Sequence, residues 1–381
     1  MLKIVEYIKT HGIESVSNDL SLIVKDYGHK IIIKYNMIDS NFSKEEVREC
    51  RGLVLEKDTL RVMSYPFYKF FNLGEGHAAE VDWSTAKVLE KLDGTMIGLY
   101  YDWILNKWEV GTTGTADASG EVNNHFNTTF ADLFWYTINK MPEYSNFVIW
   151  LNENKGKHTF IFELTTPENQ VVKVHQEYKL TLLGVRDLTT LKELDIYSEP
   201  NLVSSFGIPV SVIVKSFDIK NVEEIKASFS TIKADDEGYV VVDANFNRQK
   251  IKNPSYVALH HLRDSTMEWK IVNLVLKGEV EEYLVYFPDR RKEVESIQQS
   301  WETLHFILYE IWEWISGYQE GKEDRDSQKK FALTLFNKLD TLGLRKFSGL
   351  FFSLRANKTS SIEEWFSDYD EKELWKFLKK Y

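Results

Sequence analysis

The sequence is poor in the residues that staple or interrupt a fold. A single cysteine, Cys50, excludes an internal disulfide, and nine histidines scattered over 381 residues provide no Cys/His set at zinc-finger spacing. A reducing interior is the natural compartment, so the expected location is cytoplasmic. No apolar run approaches the ~18 residues that a membrane span requires. Residues 1–10 carry Lys3, Glu6 and Lys9, where a signal peptide would be unbroken and apolar. There is no internal repeat and no long Pro/Gly/Ser linker, with only seven prolines in the chain. Positive charge is also in deficit: 47 Lys and Arg stand against 58 Asp and Glu, a net charge of -11. Such a field repels phosphate, which argues against non-specific coating of nucleic acid but not against a local basic site.

What remains is a globular composition, 43% hydrophobic and 28% charged. The length suggests two or three domains. Up to about residue 254 the chain reads as short strands separated by turns, with apolar, β-branched or aromatic runs at 21–25, 30–35, 52–55, 60–65, 87–91, 96–101, 159–164, 180–186, 238–243 and 248–252. Residues 124–140 and 222–229 read better as helices. Beyond Pro254 the period changes. Val294, Ile297, Trp301, Leu304, Leu308, Ile311 and Ile315 fall on one helical face, with Gly317 and Gly321 placed to end it. Phe331, Leu335, Leu339 and Leu342 suggest a second helix, and Ser361 with Glu364 stands at capping-box spacing before a third. The expected fold is therefore α+β, antiparallel sheets with flanking helices over residues 1–255, followed by an all-helical domain over 256–381.

Lys91-Leu92-Asp93-Gly94-Thr95 places a lysine at the end of one predicted strand and an Asp-Gly turn before the next. Alone, a Lys-x-Asp-Gly string arises by chance in about one chain in ten of this size, and a solvated lysine beside a hairpin turn is its commoner meaning. Other strings follow in a fixed order, however. Glu49-Cys50-Arg51-Gly52 and Tyr68-Lys69-Phe70-Phe71-Asn72 lie upstream. Phe160-Ile161-Phe162-Glu163, Glu237-Gly238-Tyr239-Val240 and Lys250-Ile251-Lys252 lie downstream.

This ordered set resembles the covalent nucleotidyltransferase superfamily of polynucleotide ligases and RNA capping enzymes. Glu-Cys-Arg-Gly, Lys-Phe-Phe-Asn-Leu at 69–73, Leu183-Gly184-Val185-Arg186 and Tyr256-Val257-Ala258-Leu259-His260 are more particular. They resemble the ATP-dependent RNA ligase of T-even bacteriophages, the type-one group that repairs cleaved tRNA. The resemblance covers roughly residues 45–260. One departure is Gly111-Thr112-Thr113-Gly114-Thr115, which has no basic residue before its second glycine.

The resemblance implies that Lys91 attacks the α-phosphate of ATP, forms lysyl-AMP and expels pyrophosphate. At its ordinary pKa of ~10.4 a lysine is neutral in about one molecule in 2,500 at pH 7, a handicap of ~4.6 kcal/mol. Cationic neighbours must favour the free amine. Lys250 and Lys252 alternate on one predicted strand and so share a face, and Mg²⁺, with Mn²⁺ as the alternative ion, adds local positive charge. Arg51 and Lys69 extend the basic set, the guanidinium offering a fork and the ammonium a point charge. The resemblance assigns Glu163 and Glu237 to the metal, its water shell or the nucleotide sugar, hard oxygen donors that suit Mg²⁺. Phe71 and Tyr256 are candidate packers against adenine or ribose, although a flat face alone does not separate Phe71 from Phe70. Asp93 and Gly94 form the motif turn.

The implied partners are RNA 5′-phosphate and 3′-hydroxyl ends, broken tRNA among them, with the enzyme acting as a monomer and in the host cytoplasm if phage-encoded. Residues 321–358 hold nine basic and four acidic residues, a net +5 inside an acidic chain, which suits either an RNA-facing surface or a solvated helical face. Two other readings use the same lysine: a DNA ligase or capping guanylyltransferase, and an RNA-binding relative without turnover. The first commonly continues into a small β-barrel, whereas residues 290–381 here look helical.

Overall fold

The computed structural model describes residues 1–122, 128–262, 269, 271–316, 325–367 and 369–379. The chain divides into two compact units, Met1–Arg263 and Asp264–Tyr381. The division falls a helix later than residue 255, because Pro254–Leu262 groups with the strands before it.

The first unit contains the strands β1 (Leu22–Asp26), β2 (Lys30–Tyr35), β3 (Arg51–Glu56), β4 (Val62–Ser64), β5 (Phe71–Asn72), β6 (Lys87–Glu90), β7 (Thr95–Asp102), β8 (Lys107–Gly111), β9 (His158–Thr165), β10 (Lys179–Asp187), β11 (Ser216–Phe217), β12 (Gly238–Val242) and β13 (Arg248–Lys252). They build three sheets: the meander β1-β2-β3-β4, the order β10-β9-β7-β8, and the order β11-β6-β12-β13-β5. Every pairing is antiparallel except that of β13 with β5.

Side-chain alternation explains why the sheets stack. On β2, Ile31 and Ile33 join the core beneath helices Lys3–His11 and Glu14–Leu20, while Ile32 packs on the other face with Val54 and Tyr100. The unbroken apolar run thus marks a strand buried on both sides. On β9, Phe160, Phe162 and Leu164 face helices Phe130–Lys140 and Ser145–Glu153 across the largest core of this unit. Ile161 and Glu163 consequently face the opposite way. The predicted helix at 124–140 is observed from Phe130, where Thr129 and Asp132 form a capping box; residues 123–127 lie outside the described residues.

A buried ion network ties the meander to the second sheet. Lys30 Nζ lies 2.9 Å from Asp102 Oδ2 and also pairs with Glu109, and His29 Nε2 is 2.7 Å from Asp102. Burial acts to raise the Asp102 carboxyl, but hydrogen bonds from His29, the Leu105 amide and Lys30 outweigh it and lower the pKa to about 2.

In the second unit, all seven residues of the predicted stripe are buried along the helix Arg291–Ser316, and Phe331, Leu335 and Leu339 are buried on the helix Arg325–Thr341. Leu342 falls beyond that helix and is exposed, and Gly317 and Gly321 lie outside the described residues. The Ser361 hydroxyl accepts from the Glu364 amide at 3.1 Å, but Glu364 reaches back to the Ser360 amide, one residue before the capping position expected. Among the described residues no helix is long and apolar enough to cross a membrane.

Cys50 is fully buried, and burial raises its thiol well above the ordinary range. Iodoacetamide should therefore leave the native protein unlabelled at pH 8 and modify one thiol after denaturation; rapid native labelling, read by intact mass, would contradict this packing.

Candidate active site

The second and third sheets face each other, and a cavity of about 360 Å³ lies between them. Strand alternation decides what enters it. From β9 comes Glu163, beside its cross-strand partner Met96 on β7; from β12 comes Val240 and from β6 Leu89. Arg248, Lys250 and Lys252 project into it from β13, while Ile251, between the last two, turns to the core behind. Lys91, the first residue after β6, stands among them.

The lysine is fixed through both backbone and head group. Its amide donates to Gly238 O at 2.9 Å, and its Nζ lies 2.5 Å from Glu237 Oε1. Lys252 Nζ is 3.6 Å from the same oxygen. The Glu-Gly dipeptide follows from this crowding. Gly238 has φ +123°, and a Cβ there would meet Ile251 O at 2.4 Å. Gly94 is similarly constrained, since a Cβ would lie 2.4 Å from Leu164 O.

Asp93 holds the turn and has no exposed chemistry. Its Oδ1 accepts from Tyr256 Oη at 2.8 Å, and its Oδ2 accepts from the amides of Val172 at 2.8 Å and Lys173 at 2.5 Å. His175 Nε2 donates to Asp93 O at 2.6 Å, and Lys173 forms an ion pair with Asp236. The segment after β9 therefore links the neighbours of Lys91 and Glu237.

Glu163 is buried, and that burial, opposed by Lys91 and reinforced by the nearby Glu237 charge, raises its carboxyl to about 8. Arg51 lines the cavity with its guanidinium 4.8 Å from the centre of the Phe70 ring; its Nε and Nη1 are buried without a hydrogen-bond partner, donors suited to an anion. Within the same string Glu49 does something different: its carboxylate accepts from the Lys3 and Ile4 amides at 3.1 and 2.9 Å, at the start of the first helix.

Of the residues singled out in the sequence, Arg51, Lys91, Gly94, Glu163, Lys250 and Lys252 line the cavity, and Glu237 reaches its lysine. Three others are placed differently. Lys69 sits 4.8–5.2 Å from the rings of Tyr35, Phe42 and Phe71, and both Lys69 and Phe71 line a neighbouring pocket. Phe70 is the aromatic residue of that string that borders the main cavity. Tyr256 is 2% exposed and bonded to Asp93, so it positions the turn and offers no stacking face to the cavity. Sequence reasoning missed Arg248 and the 172–175 segment, and Thr113, from the string that departs from the family pattern, also lines the cavity. The alternation Arg248-x-Lys250-x-Lys252 was a signal for the first; its head group is held by Glu193 at 2.5 Å. Leu-Gly-Val-Arg is also accounted for: Gly184 leaves room for Phe67, which a Cβ would meet at 2.9 Å, and Arg186 Nε donates to the carbonyls of Tyr65 and Pro66.

Lys91 thus stands against the carboxylate of Glu237, just before β12, and faces further cations in a cleft between the second and third sheets. The RNA ligase family model matches residues 49–256, more than half of the chain, and the chain belongs to that family, T4 type 1. It is 27% identical to the RNA ligase of Rhodothermus phage RM378, over 87% of this chain and 90% of that protein. Among solved structures it is similar to an archaeal ATP-dependent RNA ligase (TM-score 0.46, 14% identity, 90% and 91% of the two chains). It also matches a Naegleria gruberi RNA ligase variant with ATP and Mn (TM-score 0.34, 16% identity, 46% and 51%).

Two outcomes follow from the site. Because the folded-state pKa of Glu163 lies above the usual glutamate value, it disfavours the fold progressively as pH rises toward 8. Glu163→Gln should thus be more thermostable than wild type at pH 8.5, with the difference vanishing near pH 4; a pH-independent difference in melting temperature would refute the burial effect. Tyr256→Phe, which frees the turn, should slow lysyl-AMP formation about tenfold through lost positioning, measured by single-turnover labelling, with the fold intact by circular dichroism.

Proposed function

We propose that this RNA ligase is ATP-dependent and joins RNA 5′-phosphate and 3′-hydroxyl ends through a covalent lysyl-AMP at Lys91. The observation that carries the reading is the Lys91 ammonium, 20% exposed, at 2.5 Å from Glu237 in a cavity walled by Arg51, Lys250 and Lys252. ATP entering that cavity brings its phosphates to these cations. Glu237 Oε1 is the nearest acceptor for the ammonium proton. The free Nζ attacks the α-phosphorus, a P–N bond forms, and the bond to pyrophosphate breaks. Lys250 and Lys252 balance charge on the phosphate oxygens, where positioning and electrostatics supply most of the catalysis.

In the second step an RNA 5′-phosphate oxygen attacks the same phosphorus and releases the lysine amine. In the third, a 3′-hydroxyl attacks the 5′-phosphate and AMP leaves. The two carboxylates fit a divalent ion, since Mg²⁺ takes one or two carboxylates and keeps several waters; Glu163 and Glu237 would hold it. Bound there, Mg²⁺ or Mn²⁺ supplies positive charge at the reacting phosphates. Residues 1–255 act as the adenylyltransferase and 256–381 as the RNA-recognising part of a monomeric enzyme. Broken tRNA is the substrate proposed, on the sequence resemblance.

Incubation with α-labelled ATP should label the wild-type protein and leave Lys91→Ala unlabelled, a loss of at least about a thousandfold in adenylylation. Label persisting on that variant would remove Lys91 from the mechanism. Equal labelling by GTP, or sealing of nicked DNA in preference to 5′-phosphorylated RNA, would overturn the substrate assignment.

A further inference from the structure

The second unit carries a pocket of about 400 Å³, lined by Gln328, Phe331, Phe352, Arg355, Ala356 and Lys358. Arg355 is its unusual member. Both terminal nitrogens are shielded from solvent and have no hydrogen-bond partner, while the guanidinium carbon lies 4.0 Å from the centre of the Phe331 ring. Two other cations of this unit have partners: Arg345 pairs with Asp340 at 2.8 Å, and Lys346 lies 4.2 Å from the Phe377 ring. Guanidinium nitrogens shielded from water without an acceptor are costly to hold, and a ligand that supplies acceptors there offsets that cost.

The chemistry of that ligand can be read from the rest of the lining. Lys358 is an exposed second cation, and Gln328 contributes an amide. Phe352 is 37% exposed, and its ring is fixed edge-on against Phe331 at 5.8 Å and Phe336 at 5.7 Å. Two cations beside a rigid, partly open aromatic face match a phosphate and an adjoining base, the pairing presented by single-stranded RNA. The pocket also falls within residues 321–358, the net +5 stretch of an otherwise acidic chain.

We infer that this pocket binds a phosphodiester of a single-stranded RNA segment, with Arg355 and Lys358 on the phosphate and Phe352 against a base. The inference rests on the reading of RNA as the substrate, but it concerns a separate unit from the one that holds Lys91.

The test uses the full chain and a fluorescent single-stranded RNA, with anisotropy followed over a salt series in the absence of ATP. Arg355→Gln and Lys358→Gln should each weaken binding about fivefold and lower the salt slope by about one. Phe352→Ala should weaken binding without altering the slope. Lysyl-AMP formation, which needs no RNA, should match wild type in all three. Unchanged affinity and slope in folded Arg355→Gln would overturn the inference. If that variant does not fold, unchanged affinity and slope in Lys358→Gln would do the same. Inorganic phosphate and AMP, titrated at millimolar concentration, separate the sources. Loss of phosphate or AMP binding in the variants with RNA affinity intact marks a small-anion site and also overturns the RNA assignment. Failure of the ligase reading is read separately, as absence of lysyl-AMP in wild type.

Discussion

The site depends on one constraint: three ionisable groups, on or beside three different strands, must meet in a narrow gap between two sheets. Lys91 follows β6, Glu163 lies on β9 and Glu237 immediately precedes β12, yet Lys91 and Glu237 end 2.5 Å apart. The approach is close enough that a side chain at Gly94 or Gly238 would collide with backbone carbonyls. Dehydrated charges at such distances tolerate little displacement, because their mutual energy changes steeply with separation where water does not screen it. The rest of the unit holds that geometry.

The holding is done by the segment between β9 and β10. It leaves the strand that carries Glu163, donates two amides to Asp93 beside the lysine, and pairs Lys173 with Asp236 beside Glu237. Tyr256 closes the set from the helix that follows the last strand. Three stretches remote in sequence are thereby tied to the turn that follows Lys91, so the lysine is held in place by the fold itself. The buried network of Lys30, Asp102 and Glu109 serves the same end farther out, fixing the meander that carries Arg51 against the second sheet.

The acidic character of the chain takes on a different meaning beside this site. Positive charge is gathered in the cavity, at Arg51, Lys91, Lys250 and Lys252, while the remaining surface is free to be acidic. A net charge of -11 then limits indiscriminate binding to polyanions without weakening a cavity whose cations act at contact distance.

The sequence by itself determined the longer strands, though not β5, β8 or β11, the long amphipathic helix of the second unit and the charged residues Arg51, Lys91, Glu163, Lys250 and Lys252 of the cavity. Period-two and period-3.6 burial are local properties, and a glycine forced by a close approach leaves a readable mark in the string that contains it. Only the tertiary structure decided the roles of the aromatic residues and of Asp93. Phe70 and Phe71 are neighbours with the same flat face and both line the side pocket, but Phe70, just before β5, also reaches the cavity while Phe71 does not line it. Tyr256 and Asp93 are 163 residues apart, and nothing in either string foretells the hydrogen bond that makes both of them supports for the lysine. Such contacts depend on how sheets stack and loops cross between them, which is a property of the whole chain and not of any segment.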